Sequence, residues 1–344
     1  MVIIINIIKK SLLIVLFIIV LFCNKASIKA ESITAESYCL LEASSKRVIE
    51  GKNIHKRFLT ASICKVLTGI IIIENMNIDE YVLVDRDTIY QEGSSVYLKE
   101  NDMITIRDLL YGLLLRSGND CAYLLAKSYC YNVNDFSKVM NKYAQIIGMH
   151  NSTFSNPSGL DNSSYNYSTA YDMALLMIYA MQNETFREIV QSTNHFASTS
   201  NGEKYYFYNK HKLVQKYDYI IGGKTGYTEK AGRTLITYAS KNNMELSCVT
   251  FKSNNDWNEH MSLINNCYKT YEMKEVMKKQ IIKTKDDYSY TPYLVNDVVL
   301  PVSNNERIDI KVYLLNNSDS KEVGKVVFLS NNKIIYEEVL YRYY

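Results

Sequence analysis

Thr60-Ala-Ser62-Ile-Cys-Lys65, followed by the apolar run 66–73, is the stretch of this 344-residue chain that decides its fold. A threonine in front of a long apolar run predicts the start of a helix. Ser62 and Lys65 are three residues apart and therefore share a face of its first turn. A serine hydroxyl becomes a nucleophile when a neighbouring base takes its proton. Lysine can be that base if burial and the positive field of a helix N-terminus lower its pKa.

The same serine–lysine spacing occurs twice more in the chain, so the pattern is weak by itself. Ser318 precedes Lys321 and Ser330 precedes Lys333, and both pairs lie in polar turns between predicted strands. An isolated match of this kind is more often a surface coincidence than a catalytic pair. The interpretation of the first pair therefore depends on companion motifs elsewhere.

The second motif is Ser117-Gly-Asn119-Asp120, which follows a predicted helix at 106–115. A serine beside a nucleophile can relay protons, and an asparagine amide can hold a substrate. The alternative is a turn that ends a helix. Because Ser192-Thr-Asn194 and Ser253-Asn-Asn255 have the same spacing, this motif is also weak alone.

The third motif is Gly222-Gly-Lys-Thr-Gly-Tyr-Thr228, which opens a late region of strands. A lysine between glycines can also belong to a phosphate-binding loop, but that loop requires glycine where the chain has Asp218. Glycine on a sheet-edge strand instead allows the backbone of a ligand to approach closely. The motif therefore favours a strand edge that receives a ligand.

In this order the three motifs form the S-x-x-K, S-x-N, K-T-G signature of penicillin-binding proteins and class A β-lactamases. Over about residues 36–275 the chain resembles the D-alanyl-D-alanine carboxypeptidases, serine peptidases that trim peptidoglycan stem peptides. The likeness extends to the stretches 93–98, 109–122, 147–154, 156–161, 167–173 and 223–233.

The resemblance implies three catalytic roles. Ser62 would be acylated by the carbonyl of the penultimate D-alanine and would expel the terminal D-alanine. Lys65 would be the base, and Ser117 would relay a proton. Water would then cleave the acyl-enzyme, and we expect neither a cofactor nor a metal ion to take part.

The resemblance also implies the substrate contacts. The terminal carboxylate would be held by Lys224 and Thr225, and the substrate amide by Asn119. The backbone N–H groups of Ser62 and Tyr227 would form the oxyanion hole. The expected substrate-binding residues are Asn119, Lys224, Thr225, Gly226 and Tyr227. The expected partners are stem peptides ending in D-Ala-D-Ala and β-lactam antibiotics.

The order of predicted elements indicates an α/β (α+β) fold with two domains. Strands near 36–60 and 220–252 enclose a mostly helical segment from 61 to about 200, and a helix follows from about 257 to 280. We expect one antiparallel sheet built from both ends of the segment and flanked by helices. The resemblance makes this a penicillin-binding transpeptidase or serine β-lactamase-like catalytic domain at 31–280, and short strands predict a small all-β C-terminal domain at 281–344.

The N-terminus predicts export. Lys9 and Lys10 precede the apolar run 12–22, and Ala30 is a candidate cleavage point, so residues 1–30 read as a signal peptide. We therefore expect an extracytoplasmic protein, at the cell wall or the outer face of the cytoplasmic membrane. The alternative is an uncleaved N-terminal anchor, which would give membrane association.

Composition excludes several classes of protein. The net charge is only +3, and the chain lacks the clustered basic residues of a nucleic-acid-binding protein. The five histidines form no H-x-x-H or H-x-H pair, so a zinc site is not expected. Six cysteines follow residue 30, and since a chain of this size does not need disulfides, we expect most to be buried free thiols.

One departure from the family pattern and one difference from the β-lactamases bear on function. Some members carry an arginine in the loop after the late strands. This chain instead has Asn254-Asn-Asp-Trp-Asn-Glu-His260, which resembles sporulation-type members, so we expect no arginine of this loop to anchor the carboxylate. Class A β-lactamases also need a glutamate beyond the second motif, and residues 101–183 contain none. Penicillin should therefore acylate Ser62 and leave slowly. A serine β-lactamase, an inactive peptidoglycan-binding homologue and a structural spore-coat or cell-wall protein without an active site remain the alternatives.

Overall fold

The computed structural model describes residues 33–284, 288–316 and 320–343. The predicted signal peptide at 1–30 and Ser318 of the second serine–lysine pair lie outside the described residues.

The helices lie mainly between residues 61 and 191. A 3-10 turn (Ala61–Cys64) leads into the first helix, and a π turn (Gly112–Arg116) follows the third. In chain order the helices are α1 (Lys65–Asn75), α2 (Arg86–Ile89), α3 (Ile106–Tyr111), α4 (Asn119–Cys130), α5 (Val133–Ile147), α6 (Ala170–Ala180), α7 (Glu184–Gln191) and α8 (Asp256–Thr270).

The strands lie at both ends of this helical segment and throughout the C-terminal part. In chain order they are β1 (Ser37–Glu42), β2 (Val48–Lys52), β3 (Phe58–Leu59), β4 (Tyr81–Leu83), β5 (Met103–Thr105), β6 (Tyr167–Ser168), β7 (Asn194–Ser198), β8 (Lys204–Tyr208), β9 (Ile220–Thr228), β10 (Gly232–Lys241), β11 (Met244–Phe251), β12 (Tyr271–Met277), β13 (Gln280–Ile281), β14 (Thr291–Leu294), β15 (Val298–Ser303), β16 (Asp309–Leu314), β17 (Glu322–Ser330) and β18 (Lys333–Tyr343).

The main sheet confirms the predicted joining of the two ends of the segment. Its strands are antiparallel in the order β2-β1-β11-β10-β9, with Ser37 opposite Phe251. Alternate side chains of a strand point to opposite faces. Ile236 and Tyr238 of β10 join the core beneath α1 and α6. Thr237 faces the other side and hydrogen-bonds His260 of α8. Helices therefore flank the sheet on both faces, and β9 forms one edge.

Helix α1 runs through the centre of the helical region. Every residue from Lys65 to Ile72 is buried, because the run of apolar residues surrounds the helix rather than forming one stripe. A helix that is apolar on all sides must lie inside the core. The turn at its N-terminus is therefore held by packing, which fixes Ser62 relative to its neighbours.

The C-terminal part is all-β, as predicted, but the preceding helix is shorter than expected. Helix α8 ends at Thr270, and residues 271–277 form β12, which pairs with β15. The Met, Glu and Lys content of this stretch favours a helix, and strand pairing overrides that weak preference. A five-stranded sheet in the order β13-β14-β18-β17-β16 completes this part. The division at residues 280/281 stays a prediction.

Three further properties can be stated for the described residues. The cysteines from Cys39 to Cys267 are free thiols, and all except Cys130 are buried, which confirms the expectation for most of them. Across residues 33–284, 288–316 and 320–343, no three His, Cys, Asp or Glu side chains form a group that could hold a metal ion. Within the same ranges, no helix has the length and apolar character needed to cross a bilayer.

Candidate active site

Ser62 lies in the 3-10 turn that precedes α1. Residues three apart eclipse each other in such a turn, and the Lys65 Nζ lies 3.0 Å from the Ser62 Oγ. The preceding Ala61 adopts a left-handed φ of 47°, an uncommon conformation for a residue with a side chain. A Cβ at Gly159 would lie 1.9 Å from the Ala61 carbonyl oxygen, so only glycine lets the neighbouring loop pack against this turn.

The Lys65 amine has three hydrogen-bond partners. Besides Ser62, it donates to the Asn119 Oδ1 at 2.7 Å and to the backbone carbonyl of Ser158. Both of these oxygens are acceptors only. A neutral amine has two N–H groups for them and one lone pair, which can accept the proton of the Ser62 hydroxyl. An ammonium would satisfy the same three contacts with its three N–H groups, so the geometry places Lys65 on Ser62 in either form and lets the neutral form act as a base.

Burial makes the neutral form of Lys65 accessible near neutral pH. Its side chain is 0% exposed, and desolvation is the main cause that lowers its pKa to about 8. The positive charge of Lys210 acts in the same direction. An amine with a pKa in this range is partly unprotonated at physiological pH and can accept a proton.

A second serine–lysine contact faces the first. Ser117 ends the π turn with a left-handed φ of 66°, and its Oγ accepts a hydrogen bond of 2.9 Å from the Lys224 Nζ. Lys224 is only 2% exposed, and it also donates to the Thr225 carbonyl oxygen at 2.8 Å. Burial, reinforced by the charge of Lys65, lowers the pKa of Lys224 well below its usual value. Two buried amines therefore lie close together, each bound to one serine.

Asn119 begins α4, and both the oxygen and the nitrogen of its side-chain amide are hydrogen-bonded within the protein. Its Oδ1 accepts from Lys65, and its Nδ2 donates to the Glu92 carbonyl oxygen at 2.6 Å. The next residue, Asp120, accepts hydrogen bonds from the backbone N–H groups of residues 96–98. Together the two side chains fix the 92–98 loop against the start of α4, so Asn119 lies in the cluster as a connector between Lys65 and that loop.

The free edge of β9 runs beside the Ser62 turn. A Cβ at Gly226 would lie 3.0 Å from the Ser62 backbone nitrogen and 2.4 Å from the Thr234 Oγ1, so glycine is required for this approach. Tyr227 follows with an exposed side chain. The strand edge and the Ser62 N–H are therefore adjacent, which is the arrangement that a two-donor oxyanion hole needs.

A cavity of about 330 Å³ opens beside these groups. Its volume falls within the range of small-molecule sites in proteins. The lining residues are Ser62, Ser94, Ser117, Lys210, Lys212, Thr225, Gly226, Tyr227, Arg233, Thr234, Asp256 and Trp257. A ligand in this cavity can therefore contact both serines and the edge of β9 at the same time.

Several residues in or next to this site were missed by sequence reasoning. Ser158 contributes a main-chain carbonyl, which no side-chain pattern reveals. Arg233 of β10 lines the cavity and forms an ion pair of 2.7 Å with Asp256. Arg233 therefore places a guanidinium at the cavity, whereas loop 254–260 contains no arginine. The hairpin register would have revealed it, because Arg233 lies opposite Tyr227.

The other motif matches do not join the cluster. Ser330 and Lys333 pair across the β17–β18 hairpin of the C-terminal sheet. The Ser192 Oγ donates to the Glu188 carbonyl oxygen, and the Ser253 Oγ donates to Glu259. The structure therefore brings together Ser62, Lys65, Ser117, Asn119 and Lys224 and leaves these three serines elsewhere.

Comparisons with known proteins indicate the family and the fold. A sequence profile of the peptidase S11 family, described as D-alanyl-D-alanine carboxypeptidase, matches residues 24–255. The D-alanyl-D-alanine carboxypeptidase DacF of Bacillus subtilis is 29% identical over 222 residues, which cover 63% of this chain and 57% of the relative. The chain thus spans a little over half the length of that relative.

Two further matches extend the comparison. The D-alanyl-D-alanine carboxypeptidase DacB2 of Mycobacterium tuberculosis is 32% identical over 213 residues, which cover 62% of this chain and 72% of the relative. The crystal structure of penicillin binding protein 5 from Haemophilus influenzae has a TM-score of 0.77 at 24% identity, covering 90% of this chain and 97% of that one. The second likeness is one of fold, and it confirms the predicted fold class.

Proposed function

The chain belongs to the peptidase S11 family of D-alanyl-D-alanine carboxypeptidases, and on that premise we propose that it is a serine hydrolase that removes the terminal D-alanine from peptidoglycan stem peptides. The observation that carries the proposal is the contact of the Lys65 amine with the Ser62 hydroxyl, in which the two other partners of the amine are carbonyl oxygens.

Acylation begins with proton transfer from the Ser62 Oγ to the neutral Lys65 Nζ. The Oγ attacks the carbonyl carbon of the penultimate D-alanine, and the backbone N–H groups of Ser62 and Tyr227 stabilise the resulting oxyanion. The C–N bond then breaks. The leaving D-alanine takes a proton and departs as an amine, which leaves an ester on Ser62.

Ser117 and Lys224 supply the route for that proton. The Ser117 hydroxyl accepts from Lys224, and its own proton is free to move toward the leaving nitrogen. The proton that Lys65 took from Ser62 then replaces it on the Ser117 Oγ, so that Lys65 is neutral again. Deacylation reverses the roles: water adds to the ester, its hydroxyl stays on the peptide, and its second proton returns to the Ser62 Oγ.

Substrate recognition is assigned to the strand edge and the residues around it. We propose that Gly226 and Tyr227 receive the peptide backbone and that Thr225 lies beside its terminal carboxylate. Lys224, which the resemblance assigns to the same carboxylate, contacts Ser117 from the opposite face of β9. Asn119 contributes by holding Lys65 and bordering the substrate amide. β-Lactams would acylate Ser62 by the same route.

Slow deacylation separates this proposal from a β-lactamase. In the described ranges, no carboxylate is hydrogen-bonded to Ser62, Lys65, Ser117 or Lys224. A class A β-lactamase relies on a glutamate to activate the deacylating water. The penicilloyl ester on Ser62 should therefore be long-lived.

The location of the enzyme follows from its substrate. We propose that residues 1–30 export the chain and that it acts outside the cytoplasm, at the cell wall or the membrane surface. We also propose a catalytic domain at 31–280 with a C-terminal β domain at 281–344. The amino-acid sequence of loop 254–260 leads us to propose that the chain is a sporulation-type member of the family.

Two measurements on the full chain test the function. The wild-type protein should release D-alanine from a peptide ending in D-Ala-D-Ala, and its intact mass should increase by one penicillin molecule. Labelling without release would support the inactive homologue. Rapid hydrolysis of penicillin would support the β-lactamase. If the protein showed no labelling and no release of D-alanine, the assignment would be refuted.

A further inference from the structure

Arg233 is a cation of the cavity to which no role has yet been given. In the β9–β10 hairpin, Leu235 lies opposite Thr225, and Arg233 lies opposite Tyr227. Residues opposite each other point to the same face of a sheet, and so do residues two apart on one strand. Arg233 and Thr225 are therefore diagonal neighbours on one face, at a separation of roughly 7–8 Å that a long side chain can span.

Asp256 holds the guanidinium of Arg233 in one orientation. The Arg233 Nε donates to one oxygen of the carboxylate at 3.0 Å, and the Nη2 donates to the other at 2.7 Å. Asp256 begins α8, and its side chain is almost fully buried, so it gives a firm support. Such a two-point contact fixes the plane of the guanidinium.

The remaining nitrogen of Arg233 is free to bind a ligand. Within the described residues, its Nη1 makes no hydrogen bond to the protein. The side chain is 45% exposed and lines the same cavity as Ser62 and Thr225. An arginine that is oriented in advance, with free N–H groups on a cavity, is suited to binding a carboxylate.

Lys224 is placed differently, although it is the neighbour of Thr225. It points to the opposite face of β9, where its amine is bound to Ser117 and to a main-chain carbonyl. Burial and the nearby charge of Lys65 lower its pKa well below the usual value, so its positive charge is disfavoured. The guanidinium of arginine, by contrast, keeps its charge in proteins.

We propose that Arg233, oriented by Asp256, binds the free terminal carboxylate of the peptide together with Thr225, while Lys224 acts mainly on Ser117. The inference rests on the proposed D-Ala-D-Ala function and deepens it. It makes Arg233 the residue that restricts the enzyme to peptides with a free C-terminus, since an amidated or extended peptide offers this group no anion.

Binding can be measured separately from turnover, because Trp257 is the single tryptophan of the chain and lines the cavity. We would titrate the Ser62→Ala protein with diacetyl-lysyl-D-Ala-D-Ala and with its C-terminal amide, and follow the tryptophan fluorescence. Adding Arg233→Gln should weaken binding of the free acid by about tenfold or more, as expected for the loss of one charge-assisted hydrogen bond. Binding of the amide should change by less than about twofold.

Two matched variants complete the experiment. Arg107 forms an exposed ion pair of 2.8 Å with Asp79 outside the cavity, so Arg107→Gln should change neither affinity. Lys224→Gln, added to the Ser62→Ala protein, should change the affinities for the acid and the amide by similar factors. The inference would be overturned if Lys224→Gln weakened binding of the acid but not of the amide. It would also be overturned if Arg233→Gln weakened binding of both ligands equally.

Failure of the proposed function would look different. In that case the wild-type protein would release no D-alanine from the free acid, whatever the titrations show. If binding of the acid depended on Arg233 but no turnover occurred, carboxylate recognition by Arg233 would be supported and the proposed hydrolase activity would be refuted. Retained binding of the amide in each variant reports that the cavity is still folded.

Discussion

Two serine–lysine pairs with the same spacing lie in opposite surroundings. Ser62 and Lys65 occupy the turn before a buried helix, where the lysine is 0% exposed and bound to three oxygens. Ser330 and Lys333 flank a two-residue hairpin turn, and Lys333 is exposed to solvent. A lysine in water keeps its proton, whereas a buried lysine can lose it.

The hairpin pair also has a structural explanation of its own. Asn331 and Asn332 have φ values of 49° and 62°, which a tight two-residue β-turn requires and asparagine tolerates. Serine and lysine are simply the residues that flank this turn. The comparison teaches that the spacing carries no chemistry; burial and the partners of the amine make one pair a nucleophile and its base.

Removing the hydroxyl should give the largest difference between the two pairs. Ser62→Ala should abolish penicillin labelling and release of D-alanine, because the proposed ester forms on the Ser62 Oγ. Ser330→Ala should leave both at wild-type levels. Gel fluorescence with a labelled penicillin measures the first activity and a D-alanine assay the second. Full labelling of the Ser62 variant would remove this serine from the mechanism.

Changing the lysine should be nearly as severe. Lys65→Arg keeps the positive charge but cannot accept the serine proton, so acylation should slow by about 10²–10⁴, the usual contribution of a general base. Lys333→Arg should have no effect. Circular dichroism of the two variants controls for folding. If a folded Lys65→Arg protein were acylated at close to the normal rate, another group would have to be the base.

The pH dependence of acylation should report the pKa of Lys65. The amine is active when neutral, so the rate should rise with pH and level off above about 8. Below that midpoint it should fall about tenfold for each pH unit. Lys333→Arg should have the same profile, which excludes the hairpin lysine as its source. A rate that is flat from roughly pH 6 to 9 would contradict a base of this pKa.

The loop that supports the active pair should give a smaller effect. Gly159 and Gly202 both have a left-handed φ, but only at Gly159 would a Cβ meet another atom, the Ala61 carbonyl oxygen. Gly202→Ala should cost about 1 kcal/mol of unfolding free energy from backbone strain and leave acylation unchanged. Gly159→Ala should cost about 3 kcal/mol and slow acylation about tenfold, since Ser158 would shift away from Lys65. Denaturant unfolding would measure the stability of each variant, and penicillin labelling would measure its acylation rate. Equal effects of the two substitutions would contradict a supporting role for the Gly159 loop.

Much of the fold was predictable from local patterns. Strands at 37–42 and 246–251 and the helix after Thr60 were read from residue types, and they form where expected. The exception is 271–277, whose Met, Glu and Lys content indicates a helix. Its pairing with β15, about thirty residues later in the chain, decides otherwise.

The site was predictable where a motif names a side chain and hidden where a contact is long-range. Ser62, Lys65, Ser117 and Lys224 were all identified in the sequence. Ser158 was not, because it reaches Lys65 through a main-chain oxygen from 93 residues away. Arg233 was not identified for another reason. The family pattern directs attention to an arginine in the loop after the late strands, whereas the register of the β9–β10 hairpin places Arg233 of β10 in the cavity.

The most direct test of the account is to locate the penicilloyl group on the wild-type protein. Trypsin cleaves after Arg57 and Lys65 and after Lys325 and Lys333, so the two serine–lysine pairs fall in separate peptides, 58–65 and 326–333. Tandem mass spectrometry after brief labelling should find the adduct on Ser62 in the first peptide and leave the second unmodified. An adduct on Ser330, on Ser117 or on any other residue while Ser62 stays free would contradict the account.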